Sequence, residues 1–502
     1  SKYQVTTMRI SKIACLLGLS ILSSNHVNSF TTSNAYLSSL GATSTSTPSI
    51  QHGSPTILQM SDDSSEVTRR DLGSQITASL GSLALLGSFA ATRETKPTDY
   101  GLYGVLPIGP YKRKKTIFNE IVPNQIWTLD QKFGILNVQV PVRMVVVKIK
   151  GGLFVYNPIA ATPECLSFMR ELEKVHGEVK HIVLGTVAIE HKVYAGVFAQ
   201  KFKKAKVWLQ SGQYSFPTNL PDSFLGFPLG RTFALPSDPN DPSVPAEWSD
   251  FEFTTLGPII SRDGAFGETV FLHKPTETLL VTDTVLEVSD DPPEIFEDDH
   301  KPLLYHARDT ITQVVEDTPE TRRIGWRRVV LFGLFFMPSS IEIKASDVAL
   351  KERRPDINPE FAGIYPWDWV RDELPSFRAL QGGLLVAPIL QKLILNRYPI
   401  ETLEFADKVA SWKFTRIIPA HLANNLQYSG KDYRLAFSFL DAKGVPKGLP
   451  RPLEADFQTL NDAEINLMES GAITKLPPLP GGNVKRADII AQTAYQCRGS
   501  VC

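Results

Sequence analysis

Short apolar runs bounded by turn residues recur along the chain from about residue 120 onward, and they predict β-strands. Ile126–Leu129 and Met144–Ile149 are the first two, and the second contains three consecutive β-branched valines. Gly151 and Gly152 predict the turn that leads into the next run. The further predicted strands are Leu153–Tyr156, His181–Leu184, Val207–Leu209, Thr269–Leu272, Thr278–Thr282 and Phe414–Ile418.

Segments with helical spacing of apolar residues lie between these strands. Thr162 and Pro163 predict the start of one helix, with the threonine as N-cap and the proline in the first turn. A second helix is predicted through Tyr194, Phe198 and Phe202, and a third over residues 400–411. Strands that alternate with helices over short connections predict a layered α/β domain.

The chain divides by composition into three predicted regions. Residues 1–97 are targeting sequence, residues 98–440 form the globular domain, and residues 441–502 are a Pro- and Gly-punctuated covering tail. Within the domain, residues 316–400 are predicted to be a helical, aromatic-rich insertion. We expect its rings in a core or interface and not against a ligand: Trp326, Phe332, Phe335, Phe336, Trp367 and Trp369.

Composition and charge exclude several classes of protein. Hydrophobic residues make up 42% of the chain and charged residues 21%, which is typical of a globular protein. The formal net charge is −1, so no overall field favours nucleic acid, and we expect no nucleic-acid partner. The apolar run Val329–Met337 is well short of the ~20 residues of a membrane span, so we expect no span in the mature chain.

The N-terminal region has the composition of targeting signals. From Met8, a basic start leads into the apolar run Ile13–Leu22, the pattern of a secretory signal peptide. Phe30 to Ser61 is rich in serine and threonine and contains no acidic residue, as in a transit peptide. The combination resembles the bipartite plastid presequence of diatoms and related algae, which implies a plastid location.

A further signal follows the transit peptide. Arg69 and Arg70 precede an uncharged stretch that ends at the small-x-small site Ser88-Phe89-Ala90, and this resembles a twin-arginine thylakoid-lumen signal. The alternative interpretation is a transit-peptide remnant or a weak anchor helix. In an oxidising lumen we expect Cys497 and Cys502 to form a disulfide, and otherwise a free, flexible tail.

Potential metal ligands follow three of the predicted strands, in residues 182–191, 279–285 and 416–424. Loops at the ends of strands meet at one edge of an α/β sandwich, where such folds build their sites. Imidazole and carboxylate groups suit zinc, iron or manganese. Each residue alone also has an ordinary interpretation: Asp283 as a turn cap, His191 as a helix-surface residue, and His421 as a backbone-bonding loop residue.

The order of these segments resembles the metallo-β-lactamase superfamily, which has a His-x-His-x-Asp-His loop, a Gly-Asp after a hairpin and a late Pro-Gly-His. Four phrases resemble more closely the plant, algal and bacterial branch with domain of unknown function 4336: FVYNPIAATPECL, IVLGTVAIEHKVYAG, FLHKPTETLLVTDTV and WKFTRIIPAHLA. The resemblance covers about residues 100–470. It implies an αββα sandwich but no particular substrate.

The resemblance implies that one metal site is lost and the other kept. The superfamily's first two histidines fall on Thr186 and Ala188, and no histidine lies near Gly264, where the third ligand of the first metal belongs. Thr282 and Ala420 replace the glycines of the two later motifs. The ligands of the second metal fall on Glu190, His191, Asp283 and His421.

Two functions remain open from the sequence. The first is a hydrolase with one zinc, iron or manganese ion that acts on an ester or thioester, with Glu190 or Asp283 as general base. The alternative is a non-catalytic plastid protein that keeps the fold as a binding or assembly platform, with a small molecule or a protein as its partner. His273 is expected to be a strand residue beside the site and not a ligand.

We predict cleavage after Ala90, so that the native protein begins at Ala91 and resides in the thylakoid lumen. N-terminal sequencing of native protein, combined with plastid subfractionation, measures both properties. A native chain that begins near Phe30 or Ser61 and fractionates with the stroma would contradict this prediction.

Overall fold

The computed structural model describes residues 114–135, 138–214, 221–261, 264–358 and 363–477. The predicted targeting segments and the pair Cys497 and Cys502 lie outside the described residues. Within these ranges, no helix is both long enough and apolar enough to cross a membrane.

The first half of the described chain forms a seven-stranded sheet, sheet I, whose strand order follows the sequence. Its first four strands pair antiparallel and the last three join in parallel. The strands are β1 (Ile117–Val122), β2 (Ile126–Ile135), β3 (Val138–Ile149), β4 (Gly152–Tyr156), β5 (Val179–Leu184), β6 (Lys206–Leu209) and β7 (Thr232–Ala234).

Two helices make the first two of the three parallel connections of sheet I. Helix α1 (Pro163–His176) joins β4 to β5, and helix α2 (Ile189–Lys201) joins β5 to β6. The predicted start of α1 is confirmed, because the Thr162 side chain accepts a hydrogen bond from the backbone N–H of Cys165 and Pro163 occupies the first turn. The helix ends at Gly177, whose φ of 94° suits glycine.

A second, four-stranded sheet, sheet II, has the strand order β13-β10-β9-β8. Strands β8 (Phe251–Ser261), β9 (Gly264–His273) and β10 (Thr278–Val281) pair antiparallel, and residues 274–277 form the turn between β9 and β10. The two-stranded ribbon of β11 (Ile341–Ile343) and β12 (Trp367–Trp369) comes next in the chain.

Strand β13 (Arg416–Pro419) then pairs in parallel with β10. The predicted strand over Phe414–Ile418 therefore begins two residues too early. Phe414 packs its ring into the apolar core, while the backbone N–H of Thr415 bonds the Glu277 carbonyl before the regular ladder starts.

The remaining helices lie after sheet I and mostly between the strands of sheet II. They are α3 (Lys301–Ala307), α4 (Pro319–Phe335), α5 (Ser346–Lys351), α6 (Leu374–Arg378), α7 (Pro388–Leu393), α8 (Pro399–Ala410), α9 (Gly430–Ala436) and α10 (Gln458–Glu469). The longest of them, α4, is capped by the Thr318 hydroxyl, which accepts from the backbone N–H of Thr321.

Three apolar cores define the layers. Phe154 and Tyr156 of sheet I pack against Phe271, Leu280 and Ile418 of sheet II in the middle core. The opposite face of sheet I is covered by α1 and α2, and the opposite face of sheet II by the later helices, including α4 and α8. Helix, sheet, sheet and helix follow one another, so the predicted αββα sandwich is confirmed.

The aromatic residues of 316–400 belong to the outer core of sheet II, as expected. Trp326, Phe332, Phe335, Trp367 and Trp369 are buried, and Phe336 packs against the same core. The indole N–H of Trp326 donates to the Ser289 carbonyl at 2.9 Å, so its polar group is satisfied within the core.

Candidate metal centre

Four predicted side chains converge from three separate strand ends. Glu190 and His191 lie in the first turn of α2, Asp283 lies two residues after β10, and His421 lies two residues after β13. One ligand atom from each residue lies within 4.8 Å of the others. The imidazole Nε2 of His421 is 3.2 Å from Asp283 Oδ1, 3.2 Å from His191 Nε2 and 3.9 Å from Glu190 Oε1.

The donor set fits a divalent metal ion. The Nδ1–H of His421 donates to the Pro141 carbonyl at 2.9 Å, so a neutral ring turns the lone pair of Nε2 towards His191 and Asp283. Burial acts to lower the pKa of His421, but its hydrogen bond to Asp283 and the charges of Asp283 and Glu190 outweigh burial and leave the pKa raised. Either a proton on Nε2 or a metal ion therefore lies between these atoms. Tetrahedral ligands at ~2.0–2.1 Å from zinc lie about 3.3–3.4 Å apart, which matches the 3.2 Å separations at His421.

The His421 loop is held by a buried arginine of the other sheet. The Arg143 guanidinium on β3 makes two hydrogen bonds of 2.8 Å to Asp130 on β2. Its other N–H groups donate to the carbonyls of Pro419 at 2.6 Å and Leu422 at 3.2 Å. These bonds to two carbonyls, one on each side of His421, fix the direction of the histidine.

The replacement of glycine by Ala420 causes no strain in this loop. Positive φ falls on Leu422, at 55°, and not on Ala420. The Ala420 carbonyl accepts a hydrogen bond of 2.8 Å from the backbone N–H of Arg143, which joins the loop to β3. An alanine therefore serves at a position where the superfamily uses glycine.

The Asp283 loop is held by Glu268, a buried carboxylate in the middle of β9. Glu268 accepts hydrogen bonds from the backbone N–H groups of Thr282 at 2.7 Å, Asp283 at 2.8 Å and Thr284 at 2.9 Å. The Thr284 hydroxyl donates a fourth bond at 2.9 Å. Burial, followed by the charge of Asp283, raises the pKa of Glu268 to about 7.

Sequence reasoning missed Glu268. The signal was present, because Glu268 is the only charged residue in the otherwise apolar and small stretch Phe266–Leu272. A charge inside such a strand needs several hydrogen bonds to be buried. The residue does not bind the proposed ion, but it sets the direction of the backbone that carries Asp283.

Thr282 takes the place of the superfamily's glycine and adds a hydroxyl that is fully bonded. Its Oγ1 accepts from the side-chain amide of Asn157 at 2.7 Å and lies 2.9 Å from the Tyr156 hydroxyl. The Asn157 carbonyl oxygen accepts from the backbone N–H of Gly185 at 3.0 Å. Asn157 therefore links the loop before Glu190 to the loop that carries Asp283.

The positions that the sequence resemblance assigns to a first metal make other contacts in the structure. The Thr186 hydroxyl accepts from the backbone N–H of Ala188 at 3.1 Å, and a side-chain hydrogen bond joins Thr186 to Asp283. Gly264 begins β9, and residues 262–263 beside it lie outside the described ranges. In the part of the chain that the structure describes, the four-residue cluster is the only group of this kind with metal-ligand geometry.

The two carboxylates of the cluster differ in their affinity for a proton. Burial raises the pKa of Glu190, and the charge of Asp283 adds to this. Burial also acts to raise the pKa of Asp283, but its hydrogen bond and charge interaction with His421 outweigh burial and leave the value lowered. Burial lowers the pKa of His191 to about 3, so its ring is neutral and able to bind a metal.

The other described histidines lie outside the cluster. As expected, His273 is a strand residue, and its Nδ1 lies 2.8 Å from the Thr276 hydroxyl. It is not beside the site, because it pairs with Thr278 at the start of β10, whereas the cluster follows the end of that strand. His176 stacks on Trp127, His181 accepts from the Trp208 indole, His300 bonds Asp317, and His306 stacks on Trp367. Their contacts are structural.

A sequence comparison assigns the chain to a family. The family model described as "Domain of unknown function (DUF4336)" matches residues 123–439, which include all four cluster residues. The chain belongs to this family. No curated protein matches the chain.

The solved structures whose backbone follows a similar path have low sequence identity to this chain. The metallo-β-lactamase FIM-1 from Pseudomonas aeruginosa, in its mono-zinc form, has a TM-score of 0.32 and 12% identity, over 67% of this chain and 99% of that one. The metal-soaked Flv1 flavodiiron core from Synechocystis has a TM-score of 0.34 and 10% identity, over 66% and 62%. A metallo-β-lactamase from Pontibacter korlensis has a TM-score of 0.27 and 11% identity, over 35% and 76%.

We predict that Glu268→Gln loosens the Asp283 loop. The amide loses one acceptor oxygen and turns its own N–H groups towards backbone N–H groups, so we expect a loss of about 1–3 kcal/mol in the free energy of unfolding. Urea unfolding at about pH 8, where the carboxylate is ionised, measures it. The matched control Glu252→Gln, on β8, should stay within about 0.5 kcal/mol. Equal urea midpoints for the two variants would contradict the role of Glu268 in holding the Asp283 loop.

Proposed function

We propose that this protein is a hydrolase that uses one divalent metal ion to cleave an ester or thioester. The single observation that carries the proposal is the convergence of Glu190, His191, Asp283 and His421, which complete one ligand set of the superfamily. The first-metal positions, in contrast, carry Thr186 and Ala188, neither of which has the imidazole that the superfamily uses there. Zinc, iron and manganese ions all accept this mixture of imidazole and carboxylate ligands.

His191, Asp283 and His421 would hold the ion, because His191 Nε2 and Asp283 Oδ1 each lie 3.2 Å from His421 Nε2, whereas Glu190 Oε1 lies 3.9 Å away. A divalent ion in this position supplies Lewis-acid activation of water and of a carbonyl group. Glu190 is then the fourth ligand or the general base. Its side chain is 25% exposed, compared with 16% for Asp283 and 12% for His421, so it faces an incoming substrate best.

The substrate class follows from what the site lacks. Two metal ions clamp the attacking and leaving oxygens of a phosphodiester, and the positions of the first metal here hold no ligand. An ester or thioester carbonyl requires one polarised oxygen and one proton acceptor. Glu190, with its raised pKa, would accept the proton of the attacking water and return it to the leaving group.

A second candidate is a non-catalytic binding or assembly platform, with the same four residues as a structural metal site. The hydrogen bonds of the Thr186 hydroxyl favour it, because they give this position a structural role in place of metal binding. For either function we propose a plastid location, which the composition of residues 1–97 supports.

We predict one metal ion per chain in protein purified without chelator, measured by elemental analysis. His421→Ala should lower the content below about a tenth of an equivalent, because it removes the nitrogen that lies nearest to the other ligands. The wild type should also gain about 2.7 kcal/mol of stability at a metal concentration of 100 times Kd.

His176→Ala is the matched control for the metal measurement, since the ring of this histidine contacts Trp127 outside the cluster. It should keep the full metal content. Less than about a tenth of an equivalent in the wild type, with unchanged melting on added zinc, iron or manganese, would exclude the single-metal hydrolase and leave a metal-free platform.

We predict that the metal-loaded protein hydrolyses p-nitrophenyl acetate or an acyl thioester faster than bis-p-nitrophenyl phosphate. If Glu190 is the base, Glu190→Gln should keep the metal and lose about 10²–10⁴ in kcat. If Glu190 is a ligand, the same variant should lose metal and activity together. Absence of any hydrolysis by fully loaded protein would favour the platform.

A further inference from the structure

One end of sheet I carries a concentration of exposed lysines. At this end β5 and β6 begin, β3 turns into β4, and helices α1 and α2 finish. Eight exposed lysines lie there, and we call them the lysine face: Lys148, Lys150, Lys174, Lys180, Lys201, Lys203, Lys204 and Lys206. Because the whole chain has a formal net charge of −1, this concentration is local.

Hydrogen bonds and strand register hold these segments side by side. The backbone N–H of Leu153, at the start of β4, donates to the Glu178 carbonyl at 3.0 Å, which joins the β3–β4 turn to the start of β5. Lys206 pairs with His181, so the first residues of β5 and β6 are neighbours. Lys204 binds Glu178 at 2.5 Å, which adds the end of α2. The lysines therefore share one surface.

Most of the positive charge on the lysine face is unpaired. Among the described residues, only two of the eight lysines make ion pairs, Lys174 with Glu171 at 2.6 Å and Lys204 with Glu178 at 2.5 Å. Four carboxylates lie at this end of the sheet: Glu120, Glu171, Glu173 and Glu178. Eight cations and four carboxylates leave four positive charges in excess. A face with such an excess attracts anionic surfaces.

An apolar side chain projects from the same face. Val175, in the last turn of α1, is 74% exposed, whereas Cys165, Met169 and Leu172 of this helix are buried. A valine with this exposure contributes little to the core. An apolar side chain within a basic surface suits the boundary between lipid headgroups and acyl chains, where apolar burial adds to electrostatic attraction.

We propose that the lysine face binds the surface of a bilayer that contains anionic lipids, with Val175 entering the headgroup boundary. Lysine ammonium groups are hydrated point charges on flexible stems, which suits a layer of mobile headgroups. Interfaces between proteins, in contrast, are depleted in lysine and enriched in arginine and aromatic side chains. The composition of the face therefore favours a bilayer over an acidic protein.

The proposed docking leaves the metal centre at the other end of the sandwich. Glu190 and His191 come after the end of β5, whereas Lys180 lies at its beginning. Glu247, just before β8, places a negative charge on the sheet II side of the face. Binding at the lysine face requires neither a metal ion nor any residue of the four-residue cluster. The inference therefore goes beyond the proposed hydrolysis and does not depend on it.

Sedimentation of the full chain with lipid vesicles tests the proposal. The vesicles contain phosphatidylcholine alone or with about 30 mol% phosphatidylglycerol. At about 0.1 M salt we expect at least about tenfold stronger partition onto the anionic vesicles, and loss of most of this preference at about 1 M, where the Debye length falls to ~3 Å. Equal partition onto both kinds of vesicle in low salt would overturn the proposal. If the protein then bound immobilised poly-L-glutamate, the face would belong to an acidic protein partner.

Two double variants with the same change of charge locate the contact. Lys180→Glu with Lys203→Glu should abolish the preference for anionic vesicles. Lys443→Glu with Lys447→Glu, at exposed positions after α9, is the matched control and should keep the preference. All four side chains are exposed, so we expect both variants to fold. A preference that survives in the first variant, or that both variants lose equally, would overturn the proposal.

Val175→Ser tests the apolar contribution without a change of charge. It should weaken binding to anionic vesicles several-fold and leave the salt dependence as it is. Residues 1–97 are the same in every variant, so any lipid binding of the predicted targeting region cancels in these comparisons. Wild-type affinity in Val175→Ser would overturn the insertion of this side chain into the headgroup boundary.

Discussion

The buried carboxylate of Glu268 determines how the end of β10 meets the rest of the sandwich. A strand that ends beneath a layer of helices leaves backbone N–H groups without partners, and a single side chain from β9 accepts three of them. These three bonds hold the backbone on both sides of Asp283 in one orientation. A charge buried for this purpose is stable only while all its partners stay in place.

Both sheets contribute ligands to the candidate metal centre. Glu190 and His191 follow sheet I, whereas Asp283 and His421 follow sheet II, so the distances among ligand atoms depend on how the two sheets pack. The aromatic core around Phe154 and Phe271 fixes that packing from within. Arg143 adds a polar connection across the same interface, because its guanidinium belongs to sheet I and its carbonyl partners belong to the loop after β13.

The sequence alone was sufficient to predict features that depend on residues close together in the chain. Apolar runs and turn residues predicted most strands of the sandwich, and the order of the motifs placed the four cluster residues at strand ends. Strands β1 and β8 were missed because their apolar residues are interrupted by polar or proline positions, and β7 because it has only three residues. The apolar part of α4 was recognised only as a run too short to cross a membrane.

The supporting residues were beyond such reasoning. Arg143 and Asp130 form a buried pair whose purpose appears only with the carbonyls of a loop 276 residues later in the chain. Arg397 stands in a segment with no recognisable motif, and the buried Glu464 carboxylate that it shares with Lys392 lies 67 residues further along the chain. Contacts across such separations leave no periodic signal in a single sequence.

The parallel pairing of β10 with β13 has a consequence for the order of folding. His191 and His421 are 230 residues apart, and closing a loop of that size costs about 5 kcal/mol in chain entropy. Sheet I and the β8–β10 hairpins need only local contacts, so they can form on a chain that is still being made. The last ligand arrives with the last strand of the sandwich, and a chain that stops before Arg416 keeps three of the four ligands and no complete centre. Occupancy by a metal ion would therefore mark a chain whose sandwich is finished.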